Sequence, residues 1–246
     1  MIDNYFKTSF EENKNEKYKW EDVRKLAYEI AKKAHEGQKR KSGEDYFLVH
    51  PVGVADIITE HFIKNPAIEL DSELERIAEA VSYMHDVVED TNQTLDDIEK
   101  KFGLKIRMIM ESLSENKGLR KIHEDNIKIT EEGKIPTVSE DKNFMKESML
   151  RDSLEKINRL KEDGNMDFYK VAAMIRIADI VQNLSDYDIQ SINLQKRNLQ
   201  KAKIIFQEFE NDIDLAQELK NRINEIEDSL ENQEAEDTKE RIKEVV

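Results

Sequence analysis

The chain has 246 residues and a formal net charge of −15, and its 38% hydrophobic content suffices for one core of ordinary size. Because it contains no cysteine, disulfides and thiolate metal sites are excluded, and a metal ion would have to be bound by histidine, aspartate or glutamate. Its acidity argues against nucleic acid as a partner. Because no apolar run approaches the roughly twenty residues of a membrane helix, we expect a cytoplasmic protein without a membrane partner.

The first half of the chain begins with helical periodicity. Seven glycines and three prolines in the whole chain, with apolar residues recurring at spacings of three and four, predict an all-α fold. The first helix is expected over residues 21–35, followed by a basic turn at 39–46. Pro51 suits the first turn of a helix, so His50 is predicted at the N-cap of a helix that runs to about Ile63.

The next helix carries the most informative segment, MHDVVEDT. It begins near Ser72, and its apolar stripe includes His85, so this imidazole is expected to face the core. If the helix continues through the segment, His85 and Glu89 lie one turn apart, and so do Asp86 and Asp90. Ionisable groups this close repel one another unless a cation joins them. The alternative is a half-exposed acidic helix end with one buried histidine.

Residues 94–142 are predicted to form two short helices followed by a loop. Thr94 and Asp97 resemble a capping box, which predicts a short helix ended by Gly103, and residues 104–113 predict another. Periodicity then fails over residues 114–142, where we expect a long loop or insertion.

Helical periodicity returns in residues 144–161 and again in residues 168–184. The second of these stretches is apolar almost all round, which predicts a central helix. A carboxylate in such a helix needs a partner, so Asp179 either pairs with Arg176, lies at a solvated edge, or binds a cation. Asn183 lies one turn further along and faces the same way.

Two amphipathic stretches, residues 191–211 and 214–230, are expected to pack at the end of the fold. The final forty residues contain 14 acidic and 5 basic residues, so the tail after Leu230 is expected to be a solvated helix or disordered. We therefore predict an N-terminal extension (1–19), a main domain (20–210) and an acidic C-terminal helix and tail (211–246).

Four potential metal ligands stand out from this pattern: His50, His85, Asp86 and Asp179. They supply two imidazoles and two carboxylates from three elements. Such a set suits an octahedral site for Mn²⁺ or another divalent first-row ion, with positions left for water.

The order His, His-Asp, Asp resembles that of the HD-domain metal-dependent phosphohydrolases. More narrowly, four segments resemble the hydrolase domain of the RelA/SpoT alarmone enzymes and the small alarmone hydrolases. These segments are AHEGQKRKSGEDY at 34–46, VHPVGVADI at 49–57, MHDVVEDTNQTLDDIEKKFG at 84–103 and IADIVQN at 177–183. The similarity spans about residues 20–183.

This resemblance implies an HD-domain helical bundle with a metal site between its central helices. The implied reaction is Mn²⁺-dependent removal of pyrophosphate from the 3′ position of guanosine tetraphosphate or pentaphosphate, which gives GDP or GTP. By matching positions, the implied metal ligands are His50, His85, Asp86 and Asp179, and the implied water-activating pair is Glu89 and Asp90. The implied substrate-binding residues are Arg40, Lys41 and Ser42 against the guanine and phosphates, and Asn183 near the ribose.

The chain also departs from the family pattern. One extra residue separates Tyr46 from His50, and Asp45 replaces a frequent proline. Ile180 and Ser185 stand where the family usually has cations near the phosphates. Two alternatives therefore remain open: an HD phosphohydrolase acting on another nucleotide or phosphate ester, and a non-catalytic HD module that binds a nucleotide or a protein.

Overall fold

The structure is a computed structural model, and it describes residues 20–40, 42–65, 72–114, 138–185, 187, 190 and 192–245. Within these ranges the chain is helical and has no strand, which confirms the predicted all-α class. The helices are α1 (Trp20–Ala34), α2 (Tyr46–Val49), α3 (Pro51–Lys64), α4 (Ser72–Met84), α5 (Val87–Asp90), α6 (Leu95–Phe102), α7 (Leu104–Leu113), α8 (Val138–Glu162), α9 (Met166–Ser185), α10 (Ile192–Phe209) and α11 (Ala216–Val245). In the described part of the chain, none of them combines the length and apolar composition needed to cross a bilayer.

Helix α9 is the central element, as its all-round apolar sequence predicted. It packs against α3, α4, α7, α8, α10 and α11. Small residues such as Ala172, Ala173 and Ala178 are fully buried on it, which lets neighbouring backbones approach closely. Asp179 is therefore held inside the bundle by packing on several sides.

Helix α4 buries its predicted stripe but ends earlier than expected. Ile77, Val81 and Met84 are fully buried where α4 packs against α1 and α3. The helix does not continue to residue 91, because His85 and Asp86 form a turn before the short helix α5. The expectation of one continuous helix through MHDVVEDT was therefore wrong, although His85 is buried as predicted.

This interruption has a local explanation that depends on tertiary contacts. The backbone of Asp86 stays near helical values, with φ −96° and ψ −7°, so the apolar pattern passes through the turn without a break. As the N-cap of α5, Asp86 makes no side-chain capping bond. Its carboxylate instead contacts groups from other segments.

Helices α6 and α7 agree with the sequence expectations. The Thr94 hydroxyl accepts a hydrogen bond from the Asp97 amide, and the Asp97 carboxylate accepts one from the Thr94 amide, so both halves of the capping box form. Gly103 ends α6 with φ 84°, a left-handed conformation that favours glycine.

Helix α8 begins six residues before the predicted start at 144, so the expected loop over 114–142 is wrong for its last five residues. Residues 139–142 are all polar, which hides the helix from an apolar-pattern search, although acidic residues suit the first turns of a helix. Residues 115–137 of the expected loop, and the predicted extension 1–19, lie outside the described residues.

Helix α11 joins the core through its first half. Leu219, Ile223 and Ile226 are buried in the same cluster as the residues of α4 and α9. Its Arg222 also donates a hydrogen bond of 3.0 Å to the carbonyl of Leu184, at the end of α9. The proposed division at residue 210 stays a prediction, and the core continues beyond it. The chain after Leu230 remains helical to Val245.

A close approach between α3 and α9 fixes the two sides of the site described below. Gly53 faces Gln182, and a Cβ atom at position 53 would lie 2.6 Å from that side chain. Gln182 donates a 2.9 Å hydrogen bond to the carbonyl of Val49, just before His50. The start of α3 is thereby joined to the last turns of α9.

Candidate metal centre

Four ionisable side chains from three segments converge between α3, the α4–α5 turn and α9. The Nε2 atoms of His50 and His85 lie 3.3 Å apart. Oδ2 of Asp86 lies 3.2 Å from Nε2 of His50 and 3.1 Å from Nε2 of His85. Oδ1 of Asp179 lies 3.4 Å and 3.9 Å from the same two nitrogens. The structure thus brings together the four residues that the sequence singled out as potential ligands.

The imidazoles are oriented with their Nε2 atoms toward this cluster. His85 donates from Nδ1 to the carbonyl of Ser82 at 2.8 Å, which leaves Nε2 to face the other groups. A ring nitrogen directed at a metal, with the other nitrogen bonded to a carbonyl, is the usual arrangement of a metal-binding histidine. Both rings are almost completely buried, with 2% exposure for His50 and 4% for His85.

Both carboxylates are held from outside the cluster. Asp179 accepts a 2.7 Å hydrogen bond at Oδ1 from Asn183 and a 3.2 Å bond at Oδ2 from Arg176. Asp86 accepts a hydrogen bond at Oδ2 from the hydroxyl of Tyr46. Each carboxylate therefore has a fixed orientation toward the imidazoles.

The electrostatics of the cluster are those of closely paired opposite charges. Burial by itself would lower the pKa of His85, but the carboxylates of Asp86 and Asp179 outweigh it and raise this pKa to about 9. Burial would raise the pKa of Asp179, yet hydrogen bonding and charge from the imidazoles lower it to about 2. In the same way, the imidazoles hold the pKa of Asp86 well below its usual range despite burial. In the metal-free cluster the carboxylates are thus ionised at neutral pH and His85 is protonated, so a metal ion that binds here would displace the imidazole proton.

This donor set fits a divalent metal ion. One ligand atom each from His50, His85 and Asp179 lies within 4.8 Å of the others, and Asp86 contacts both imidazoles. Imidazole nitrogens together with carboxylate oxygens suit Mn²⁺, Fe²⁺, Co²⁺ and Zn²⁺.

A narrow, open cleft adjoins the cluster. Its lining residues are His85, Asp86, Glu89, Leu113, Ile175, Arg176 and Asp179. Glu89 therefore shares the cleft with three of the potential ligands, whereas the neighbouring Asp90 is exposed and does not line it. Among these lining residues, Arg176 is the only arginine or lysine. It also donates hydrogen bonds to Ser153 and to the carbonyl of Leu113.

Arg40 of the basic turn lies close to the cluster. Arg40 donates a 3.4 Å hydrogen bond to the side-chain oxygen of Asn183, which in turn bonds Asp179. Ser42 instead donates to Glu44 at 3.0 Å on the exposed surface. Lys41, the third residue predicted in this turn, lies outside the described residues.

The positions that depart from the family pattern have ordinary structural roles. Asp45 caps α2, because its carboxylate accepts a 3.2 Å hydrogen bond from the amide of Leu48. Ile180 is 4% exposed and belongs to the core, and Ser185 bonds the carbonyl of Gln182 at 2.7 Å. Neither of the last two brings positive charge to the cleft.

Sequence reasoning missed two residues that hold the site together. Tyr46 contacts Asp86, and Gln182 joins α9 to the residue before His50. The available signal for both was their place in segments that resemble the family, 34–46 for Tyr46 and 177–183 for Gln182.

Comparisons with known proteins show the family and the fold of the chain. A model of the HD domain family matches residues 27–157, which is more than half of the chain. A solved structure titled "A metazoan ortholog of SpoT hydrolyzes ppGpp and plays a role in starvation responses" matches with a TM-score of 0.55 at 18% identity. The match covers 83% of this chain and 93% of that one, and it shows a shared fold.

Three relatives match over different shares of their own length. The bifunctional (p)ppGpp synthase/hydrolase SpoT of Escherichia coli (strain K12) is 42% identical over 88 residues, which are 36% of this chain and 11% of that protein. The guanosine-3′,5′-bis(diphosphate) 3′-pyrophosphohydrolase MESH1 of Homo sapiens is 29% identical over 139 residues, or 56% of this chain and 71% of that protein. The chain also matches the putative chloroplastic GTP diphosphokinase RSH1 of Oryza sativa subsp. japonica. It spans only 8% of the length of that protein and 11% of the length of SpoT.

Proposed function

The chain belongs to the HD domain family, and we propose that it is a metal-dependent hydrolase that removes the 3′-pyrophosphate of guanosine tetraphosphate or pentaphosphate. Mn²⁺ as the metal and a cytoplasmic location are parts of this proposal. The observation that carries it is the shared cleft, in which Glu89 faces the same space as His85, Asp86 and Asp179. Two of the relatives carry the names of enzymes acting on this substrate, which supports the choice of substrate.

The metal would be held by His50, His85, Asp86 and Asp179. When bound, it would lower the pKa of a coordinated water molecule and offset the charge of the phosphoryl oxygens. Asn183 and Arg176 hold the two oxygens of Asp179 and so fix this ligand before substrate arrives. Because these groups are already in place, little free energy is needed to reorganise the site during the reaction.

Proton transfer falls to the carboxylates beside the ligands. Hydrolysis joins a water oxygen to the phosphorus next to the 3′ oxygen and breaks that P–O bond, so pyrophosphate leaves and the 3′ oxygen takes up a proton. We assign the acceptance of the water proton to Glu89, with Asp90 as its neighbour at the rim. Glu89 is the better placed of the two because it lines the cleft.

Substrate binding is assigned to the basic turn and the end of α9. Arg40 and Asn183 are hydrogen bonded to each other, so both lie near the ligand Asp179 and could contact the nucleotide together. Arg176 supplies a guanidinium within the cleft, where developing negative charge needs compensation. Lys41 and Ser42 complete the predicted binding residues.

Another nucleotide or phosphate ester is the second candidate substrate. The residue types at positions 180 and 185 favour it. Ile180 and Ser185 are uncharged, so neither offers a cation to a highly charged phosphate group. The same metal chemistry would serve either substrate.

A substrate panel tests the proposal. Purified protein with Mn²⁺ is expected to release pyrophosphate from guanosine tetraphosphate and to leave GTP, GDP and simple phosphate esters unchanged. Chromatography of the nucleotide products together with a pyrophosphate assay measures this. Turnover of other nucleotides alone would support the second candidate, and binding of nucleotide without any turnover would favour a non-catalytic module.

A further inference from the structure

Tyr46 contacts the candidate metal centre in three ways, and the reaction described above does not use it. Its hydroxyl donates a hydrogen bond to Oδ2 of Asp86, the oxygen that also lies closest to both imidazoles. Its ring lies 5.5 Å from the ring of His50, measured between centroids. Its main-chain carbonyl accepts a 2.9 Å hydrogen bond from the amide of His50. One residue thus joins ligands from two separate chain segments.

The short helix α2 creates this arrangement. Asp45 caps it and His50 ends it, so Tyr46 and His50 lie four residues apart, on the same side of one helical turn. The tyrosine ring is tilted by 48° against the histidine ring, and its hydroxyl reaches Asp86.

The tyrosine ring is itself supported from behind. His35 lies 5.0 Å from it, measured between ring centroids. His35 Nδ1 is hydrogen bonded to the side chain of Gln38 at 2.9 Å, and Gln38 donates a 3.2 Å bond to the main-chain carbonyl of Asp90. His35 and Gln38 thus connect the ring of Tyr46 to the main chain at Asp90.

We propose that Tyr46 is a positioning residue for the metal centre, whose hydroxyl holds the Asp86 carboxylate in the orientation that metal binding requires. This inference rests on the proposed function only in taking the His-Asp cluster to be a metal site. A carboxylate rotates freely about its last bond unless a donor fixes it, and such outer hydrogen bonds commonly set metal affinity. Removing the hydroxyl leaves Oδ2 with the imidazoles alone.

The test compares Tyr46→Phe with Tyr83→Phe. Tyr83 is a matched control because its hydroxyl also donates to a carboxylate, Glu79, at 3.3 Å, on helix α4 away from the cleft. Mn²⁺ is titrated into metal-free full-length protein, and free Mn²⁺ is followed by its electron paramagnetic resonance signal. We expect Tyr46→Phe to raise the Kd for Mn²⁺ by about 10- to 100-fold, and Tyr83→Phe to leave it unchanged.

Two further readouts separate positioning from plain structural support. Excess Mn²⁺ is expected to restore most of the pyrophosphate release of Tyr46→Phe, while its KM for guanosine tetraphosphate stays at the wild-type value. An unchanged Kd for Tyr46→Phe would overturn the inference whether or not the melting temperature of the metal-free variant falls, and so would a wild-type protein that binds no Mn²⁺. A shifted Kd in a protein that does not hydrolyse guanosine tetraphosphate would refute the substrate assignment and leave the role of Tyr46 intact.

Discussion

Replacing Asp86 by alanine is expected to remove both the bound metal and the release of pyrophosphate. The carboxylate approaches both imidazoles to 3.2 Å or less, so its loss leaves only three donors in the cluster. Changes to outer hydrogen-bonding groups of metal sites cost roughly 10- to 100-fold, and loss of a direct ligand should exceed about 100-fold in kcat/KM. Metal content by elemental mass spectrometry and steady-state rates measure the two effects.

Asp152→Ala is the matched control for this variant. Asp152 is a partly buried carboxylate on α8 that pairs with Lys156 at 2.7 Å and does not line the cleft. The control should keep wild-type metal content and rate. An Asp86→Ala protein that retained a full complement of metal and the wild-type rate would contradict the assigned ligand set.

The double variant Glu89→Gln, Asp90→Asn is expected to keep its metal and lose turnover. Amide groups conserve the size of both side chains but cannot accept the proton of the attacking water. General base catalysis typically contributes about 10²- to 10⁴-fold, so kcat should fall by that range while KM changes little. Rates under saturating substrate, with metal content measured on the same sample, check this expectation.

The single variants sharpen this prediction. Because Glu89 lines the cleft and Asp90 is exposed at its rim, Glu89→Gln should account for most of the loss. Glu111→Gln serves as the control, since Glu111 is an exposed carboxylate paired with Arg107 outside the cleft. A larger effect of Asp90→Asn than of Glu89→Gln would reverse the roles assigned to the two carboxylates.

Much of the fold could be predicted because local patterns and tertiary packing agree. The stripe of α4, the capping box at Thr94 and the apolar sequence of α9 each specify their element without reference to distant residues. The four potential ligands could also be chosen from the sequence. Their residue types are costly to bury unpaired in a helical core, and their order along the chain resembles a known family.

Other features depend on contacts between distant segments and could not be predicted in this way. The turn at His85 and Asp86 leaves the apolar pattern intact, so nothing local reveals it. The hydrogen bond from Tyr46 to Asp86 spans 40 residues, and that from Gln182 to Val49 spans 133. Such contacts follow only from the packed arrangement of the helices.

The metal dependence of pyrophosphate release from guanosine tetraphosphate tests the proposed metal-dependent hydrolysis most directly. The protein is stripped of metal with a chelator, assayed, and assayed again after Mn²⁺ is added back. We expect no release from the metal-free protein and restored release on adding Mn²⁺, with GDP and pyrophosphate formed in equal amounts. Equal release with and without metal, or no release from protein shown to contain bound Mn²⁺, would contradict it.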